Sequence, residues 1–168
     1  MKVELVAGIT PVSVGSVEQT AHELTELIIA CRGTDPGAAE SARSVAEIAH
    51  RSSAGLVAVV RHPAADPALL FGVLVAGSAT GMVPESGSDI REVVEGRSPL
   101  GYPVVFAERV VTEAQLRAGE PFDCQLQAVV TDPAGGRMAV FTLSSSTGRG
   151  WLELSGVFGR LVASVDFG

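Results

Sequence analysis

Apolar residues recur along this chain with two different spacings, and each spacing predicts a different kind of element. Over residues 16–33 they recur every three or four positions, which predicts a helix. Ser16 and Gln19 have the spacing of a capping box at its start, and Gly33 suits its end. The sequence therefore predicts a first helix over this segment.

Three further segments carry helix signals. Asp35 followed by Pro36 suits the cap and the first position of a second helix, which then shows a narrow stripe of small residues to about residue 50. Ser88 suits the cap of a short helix over 88–95. A last helix is predicted over 149–164, where Trp151 begins an apolar face.

The remaining apolar segments are shorter and alternate or lie between turn signals, which predicts strands. These segments are 2–8, 55–62, 67–77, 99–111, 122–132 and 136–146. The order β-α-α-β-β-α-β-β-β-α predicts one α+β domain over residues 1–168. Its core would be a single, mostly antiparallel sheet of about six strands with helices packed on it.

Two stretches of the chain resemble each other without a gap at an offset of 70 positions. Between 56–75 and 126–145, seven of twenty positions are identical, where composition alone gives about two. One hypothesis is an internal duplication of a ββα unit, over 55–96 and 125–166. The alternative is that any two valine-rich hairpins look alike. Under both, we expect the hairpins to lie side by side in one sheet.

The net charge of −7 and the lack of any Lys/Arg cluster argue against a nucleic-acid partner, which would need a basic surface. Glu4 interrupts the first apolar run, and the segment 68–83 is shorter than the about 20 residues of a membrane-spanning helix. Two cysteines indicate no disulfide framework. We therefore expect a cytoplasmic protein that does not enter a membrane.

No spacing of a known nucleophile, phosphate-binding loop or metal site occurs, so we expect no catalytic residue, metal or cofactor. His22 and His50 fit solvated helix positions, and both Cys31 and Cys124 fit buried packing positions. Whether the protein is an enzyme stays open. The one enzymatic hypothesis that we keep combines Glu108, Arg109 and His62.

Six residues are candidate contacts to a ligand or partner: Arg109, Thr142, Ser144, Ser146, Arg149 and Trp151. Alternation would put the three hydroxyls on one strand face, which is either a ligand groove or an exposed sheet face. Arg149 precedes a helix, where an anion could bind, although such a sequence is also ordinary loop chemistry. Trp151 is either an interface anchor or, by its helical spacing, a core residue.

The hairpin from Gln125 to Ser146, followed by a helix that closes with Leu161 to Phe167, resembles small actinobacterial proteins of the Mog1/PsbP-like α/β/α class. The matching positions are apolar and turn residues, so the resemblance assigns no catalytic residue. It implies a domain of a sheet and helices that binds proteins or acts as an accessory factor, often near genes for specialised secretion or toxins.

Two functional hypotheses from different classes follow. The first is a non-catalytic protein-binding or accessory factor, such as a chaperone, an immunity-like factor or an assembly component. Self-association through the small-residue helix at 36–50 or an unpaired strand edge fits both this hypothesis and the next. The alternative is a small-ligand-binding module with an apolar pocket between the sheet and the C-terminal helix.

Overall fold

The computed structural model describes residues 1–4, 6–33, 36–77, 90–110 and 124–168. In these residues one sheet contains seven strands: β1 (Ile9–Pro11), β2 (Leu56–Val60), β3 (Ala68–Ala76), β4 (Ile90–Arg97), β5 (Pro103–Val110), β6 (Cys124–Asp132) and β7 (Arg137–Ser145). Their order across the sheet is β1-β2-β3-β7-β6-β5-β4, and every neighbouring pair is antiparallel. The predicted α+β class is confirmed, with one strand more than expected.

Three helices in the described residues cover the two faces of this sheet: α1 (Val17–Arg32), α2 (Ala38–Arg51) and α3 (Trp151–Ala163). Neighbouring residues of a strand point to opposite faces. Val57 packs in one core cluster with α1 and α2, whereas Ala58 packs in the other with α3. The central strands of the sheet are therefore buried between two helical layers.

The α3 layer buries an apolar stripe at the spacing that the sequence predicts. The buried residues of this helix are Leu154, Val157, Phe158, Leu161 and Val162. They contact a row of sheet residues that includes Leu70, Phe141 and Leu143. On the other face, α2 buries its predicted stripe of small residues, so that stripe packs inside the fold and is not a surface for self-association.

The segment predicted as a helix over 88–95 is a strand, so that prediction is wrong. Residues 90–97 form β4, which pairs along its length with β5. In this segment the two adjacent valines, Val93 and Val94, fit a helical face and a strand equally well, and pairing with β5 decides between them. Ser88, the predicted cap, lies outside the described residues, as do the segments 78–88 and 113–121 that sequence reading assigned to loops.

The N-terminal segment also differs from its prediction as a strand over 2–8. Lys2 makes an isolated bridge with Asp166, and the first strand begins only at Ile9. Gly8 has a φ of 96° and accepts the Arg61 backbone N–H, at a place where a side chain would meet the Arg61 carbonyl oxygen. This glycine turns the chain into β1.

The helix boundaries agree with the sequence at α1 and α3 and less well at α2. The Ser16 hydroxyl accepts the Gln19 backbone N–H at 3.1 Å, as the predicted cap requires. Pro36 lies in a turn and α2 begins at Ala38, two residues later than predicted. Asp35, the predicted cap, lies outside the described residues.

The two similar hairpins are β2–β3 and β6–β7, and they lie side by side through the pairing of β3 with β7. Their first strands present equivalent residues to α3: Leu56, Ala58 and Val60 in β2, and Leu126, Ala128 and Val130 in β6. Their second strands do not, because the hairpin register differs by one residue. Among the described residues, the helix of the proposed ββα unit follows the second hairpin, whereas strand β4 follows the first.

A polar cluster fixes the C-terminal end of the chain against the β6–β7 turn. Asp132 accepts hydrogen bonds from Arg137 at 2.8 and 3.1 Å and from the backbone N–H groups of Ala134 and Gly135. Arg137 also donates to the carbonyl oxygen of Phe167 and lies over its ring. The hydrogen bonds from Arg137 hold the pKa of Asp132 below its ordinary value.

Replacing Phe158 by alanine is expected to lower the free energy of unfolding by about 3–5 kcal/mol, because this fully buried ring lies at the centre of the α3 layer. Urea denaturation measures the change. The control is Leu152→Ala on the same helix, which is exposed and should change stability by no more than about 0.5 kcal/mol. Equal losses in the two variants would contradict this description of the core.

Replacing Asp132 by asparagine is expected to destabilise the protein at neutral pH, because the ionised carboxylate is the form that Arg137 stabilises. The lowered pKa means that this stabilisation is complete above about pH 4 and is lost as the pH falls through the folded-state pKa. Melting temperatures of both proteins, recorded as a function of pH, should therefore converge in acid. A difference that stayed constant into acid would show that the charge of Asp132 contributes nothing.

Candidate functional site

An open groove lies between α3 and the strands β4, β5 and β6. We call it the α3 groove, and its volume is about 460 Å³. Its lining residues are Arg91, Glu92, Val94, Phe106, Glu108, Leu126, Trp151, Leu152, Ser155 and Gly159. It continues along the helix into a smaller depression of about 170 Å³, which shares Val94, Phe106 and Gly159.

Within the described residues, the groove exists because α3 packs mainly across β2, β6 and β7, meets β5 at Phe106 and Glu108, and leaves β4 exposed. The helix also presents small residues, Ser155 and Gly159, to the groove. A side chain added at Gly159 would meet no atom within 4 Å, so the helix surface is recessed there. Glycine inside a helix costs about 1 kcal/mol relative to alanine, so the recess carries a cost in helix stability.

Trp151 and Glu108 form the polar centre of the groove. The indole Nε1–H donates to Oε1 of Glu108 at 2.7 Å. The Glu108 side chain is only 18% exposed, and its Oε1 also lies 3.7 Å from Nη1 of Arg91. The carboxylate therefore holds the orientation of the indole between the sheet and the first turn of α3.

The floor of the groove is apolar. Phe106 packs edge-on against Phe158 with 6.3 Å between the ring centroids, which connects the groove to the core under α3. Leu126 lies beside it on β6 and is partly buried. The floor is therefore rigid core, whereas the rim is open to solvent.

The rim exposes large apolar side chains on both sides. Leu152 on α3 is 81% exposed, and Val94 on β4 is 49% exposed. Glu92 stands beside Val94 on the same strand and lines the same groove. Because large apolar residues clustered with a tryptophan mark binding surfaces more often than isolated ones do, this rim is the strongest candidate for a contact region.

The predicted hydroxyl row is only partly present, and it lies on the opposite face of the sheet from α3. Thr142 pairs with Phe71 and Ser144 with Leu69, both of which belong to the face that α1 and α2 cover. Thr142 and Ser144 are buried. Ser146 is exposed and lies beyond the end of β7. These hydroxyls therefore do not line the α3 groove.

Arg109 joins the buried hydroxyls rather than the groove. Arg109 pairs with Gln125 on β6, and Gln125 pairs with Ser144 on β7. The three residues therefore form one cross-strand row on the face that α1 and α2 cover. Glu108, its neighbour in β5, faces α3 instead. His62 lies in the connection between β2 and β3. The structure thus separates the three residues of the enzymatic hypothesis.

Arg149 lies at the N-terminal end of α3, which packs closely against the connection between β2 and β3. A side chain added at Gly150, the helix cap, would collide with Ala65. Arg149 forms an ion pair at 3.9 Å with Asp66, whose carboxylate also accepts the Thr147 hydroxyl. The contact holds the β2–β3 connection against the start of α3.

The two cysteines differ from the expectation that both are buried. Cys31 is exposed near the end of α1, so that prediction is wrong for this residue. It lines a second cleft that also contains His62 and Asp66. The ionisable residues there include Arg61, and His62 Nδ1 accepts the Ala64 backbone N–H.

His50 is half-buried and lies 3.3 Å from the Thr20 hydroxyl, whereas His22 is exposed as expected.

Sequence reasoning found Trp151 and missed most of the groove around it. Leu152 carried a usable signal, because it lies off the apolar face that Leu154 and Phe158 define and is therefore an exposed leucine. Val94 was missed because its segment was predicted to be a helix. Glu108 was recognised as a polar residue in an apolar strand, but its partner, Trp151, is 43 residues away and only the fold brings the two together.

Comparison with known proteins assigns no role to this site. No protein-family model matches the chain, and no curated protein matches it in sequence. Within the residues that the structure describes, no group of three or more His, Cys, Asp or Glu side chains is placed to hold a metal ion. In the same residues, no helix has the length and apolar character to cross a membrane.

Replacing Glu108 by alanine is expected to destabilise the protein by about 1–3 kcal/mol, because the Trp151 indole loses a charged acceptor in a half-buried position. Since Trp151 is the only tryptophan, its fluorescence emission should change with the same substitution. The matched control is Glu95→Ala, an exposed glutamate on β4 that does not line the groove, which should leave both stability and emission near wild type. An unchanged emission in Glu108→Ala would show that the bond does not form in solution.

Proposed function

We propose that this protein is a non-catalytic protein-binding factor and that the α3 groove is its binding surface. The observation that carries the proposal is the exposure of Leu152 and Val94 on the two sides of a groove whose centre is a fixed tryptophan. A tryptophan anchored by a hydrogen bond loses little conformational freedom on binding, and tryptophan is enriched at the centres of protein interfaces.

The strand beside the groove suits the binding of an extended segment. Among the described strands, β4 pairs only with β5, so its other edge can accept main-chain hydrogen bonds. A segment added to this edge would place alternate side chains on the α3 face of the sheet. Main-chain pairing would supply affinity, and the groove would select the side chains.

The alternative, a small-ligand module, has one observation in its favour. The groove lies between the sheet and the C-terminal helix, where that hypothesis places its pocket, and its volume falls within the about 300–1,000 Å³ of ligand sites. Such sites bury most of their ligand, however, whereas Leu152 on the rim of this groove is 81% exposed. The exposure favours a macromolecular partner.

The cellular role that we propose is that of an accessory factor in the cytoplasm, as the resemblance to Mog1/PsbP-like proteins implies. Both cysteines are free thiols, which suits a reducing compartment. The mixed charges of β4, including Glu95 and Arg97, discourage unselective pairing with other strands. Selective pairing with one partner is compatible with such an edge.

Replacing Leu152 by serine is expected to weaken partner binding at least about tenfold without changing stability, because an exposed side chain contributes to contact and not to the core. The measurement is quantitative affinity capture from the native host with the wild-type and variant proteins, followed by titration with the purified candidate. Leu74→Ser is the matched control, since Leu74 is also exposed and does not line the groove.

Partners that the Leu74 variant retains and the Leu152 variant loses would support the proposal. Proteins captured equally by both variants would not count. If every captured protein bound both variants with wild-type affinity, the α3 groove would not be the binding surface. A small molecule that co-purified with the wild type and was lost from Leu152→Ser would favour the ligand-binding alternative.

A further inference from the structure

We infer that the partner segment inserts a lysine or arginine side chain into the α3 groove, where Glu92 and Glu108 receive its charge. This inference rests on the proposed function and names the chemistry of the partner. It depends on three features of the groove: a pair of like charges, a tryptophan beside them, and an apolar floor.

The pair of like charges is Glu92 on β4 and Glu108 on β5. The two residues are direct cross-strand partners, next to the bulge at the start of β4, and both line the groove. Like charges directly opposite each other on one face of a sheet repel and destabilise it. A cation placed between the two carboxylates would remove that repulsion, and its removal would contribute to the free energy of binding.

Arg91 offsets this repulsion only in part. Its guanidinium is 3.7 Å from Glu108 and its side chain is 68% exposed, so solvent screens much of the attraction. The groove lining contains two carboxylates and one guanidinium, which leaves it with a net charge of −1. An arriving cation therefore meets an acidic groove on a protein whose net charge is −7.

Trp151 and the floor make the site suitable for a long basic side chain rather than for a bare cation. An ammonium or guanidinium group near an indole ring gains cation–π attraction, most of all where water is partly excluded. The aliphatic stem of lysine or arginine can pack on Phe106 and Leu126 while its charged end stays at the carboxylates. The apolar floor thus matches the aliphatic stem of such a side chain, and the carboxylates match its charged end.

The test uses linear peptides of about a dozen residues, displayed on phage and selected on the wild-type protein, because β4 itself is eight residues long. We expect selected peptides to combine a lysine or arginine with apolar neighbours. Substituting norleucine for that lysine, or for the arginine, keeps an aliphatic stem, removes the charge, and should weaken binding about tenfold.

The protein variants are Glu92→Gln and Glu108→Gln, and each should weaken binding severalfold. Glutamine at 108 can still accept the Trp151 indole hydrogen, so the second substitution removes mainly the charge. The control is Glu95→Gln, since Glu95 is an exposed glutamate of the same strand and pairs in the row that faces away from the α3 groove. It should bind the peptides as the wild type does.

The outcomes separate the failure of this inference from the failure of the proposed function. Peptides that Leu152→Ser fails to bind, but that contain no basic residue or bind both glutamine variants with wild-type affinity, would overturn the inference and leave the groove as a binding site. If no peptide were selected, or all bound Leu152→Ser normally, both would fall. A wild-type dimer in sedimentation that Leu152→Ser dissociates would make a second copy of the chain the occupant and overturn the inference.

Discussion

The arrangement of this fold depends on one constraint: the central strands β2, β3 and β7 carry apolar side chains on both faces, so both faces need a cover. Among the described helices, α1 and α2 cover one face and α3 covers the other. One helix is about 10 Å wide, whereas neighbouring strands of a sheet lie about 4.8 Å apart. Within the described residues it therefore shields only part of the seven-stranded sheet: β5 meets it at Phe106 and Glu108, and β4 at the edge is exposed almost throughout. The α3 groove is the direct consequence.

The same constraint explains why the polar residues of the groove occur where they do. Phe106, deeper along β5, still reaches the core under α3, whereas Glu108, two residues further on, lies where the helix begins. At that position a carboxylate is tolerable because the indole N–H of Trp151 hydrogen-bonds to it and the Arg91 guanidinium lies nearby. The hydrogen bond thus marks the border between the covered and the uncovered parts of the sheet.

The sequence predicted the covered part of the molecule well and the uncovered part poorly. Buried stripes in α2 and α3 have clear periodicity because each position has one environment along the whole element. Strand β4 is exposed almost throughout, so burial imposes no alternation on it, and its adjacent valines gave a misleading helical signal.

The pairing of Glu108 with Trp151 was out of reach for a different reason: it depends on how a strand and a helix meet in space. The hydroxyl row of Thr142 and Ser144 has the predicted alternation, but nothing local tells which of two buried faces it joins.

Exposure and charge on β4 have one physical interpretation when they are taken together. An edge strand that only needed protection from aggregation would be served by charges of either sign in any arrangement. Here two glutamates stand opposite each other on the groove side, where their repulsion costs stability, while an arginine reaches only one of them. Stability alone would favour opposite charges at these two positions. A surface that keeps unfavourable like charges next to exposed apolar side chains and an anchored tryptophan is better matched to a cationic, partly apolar partner than to water.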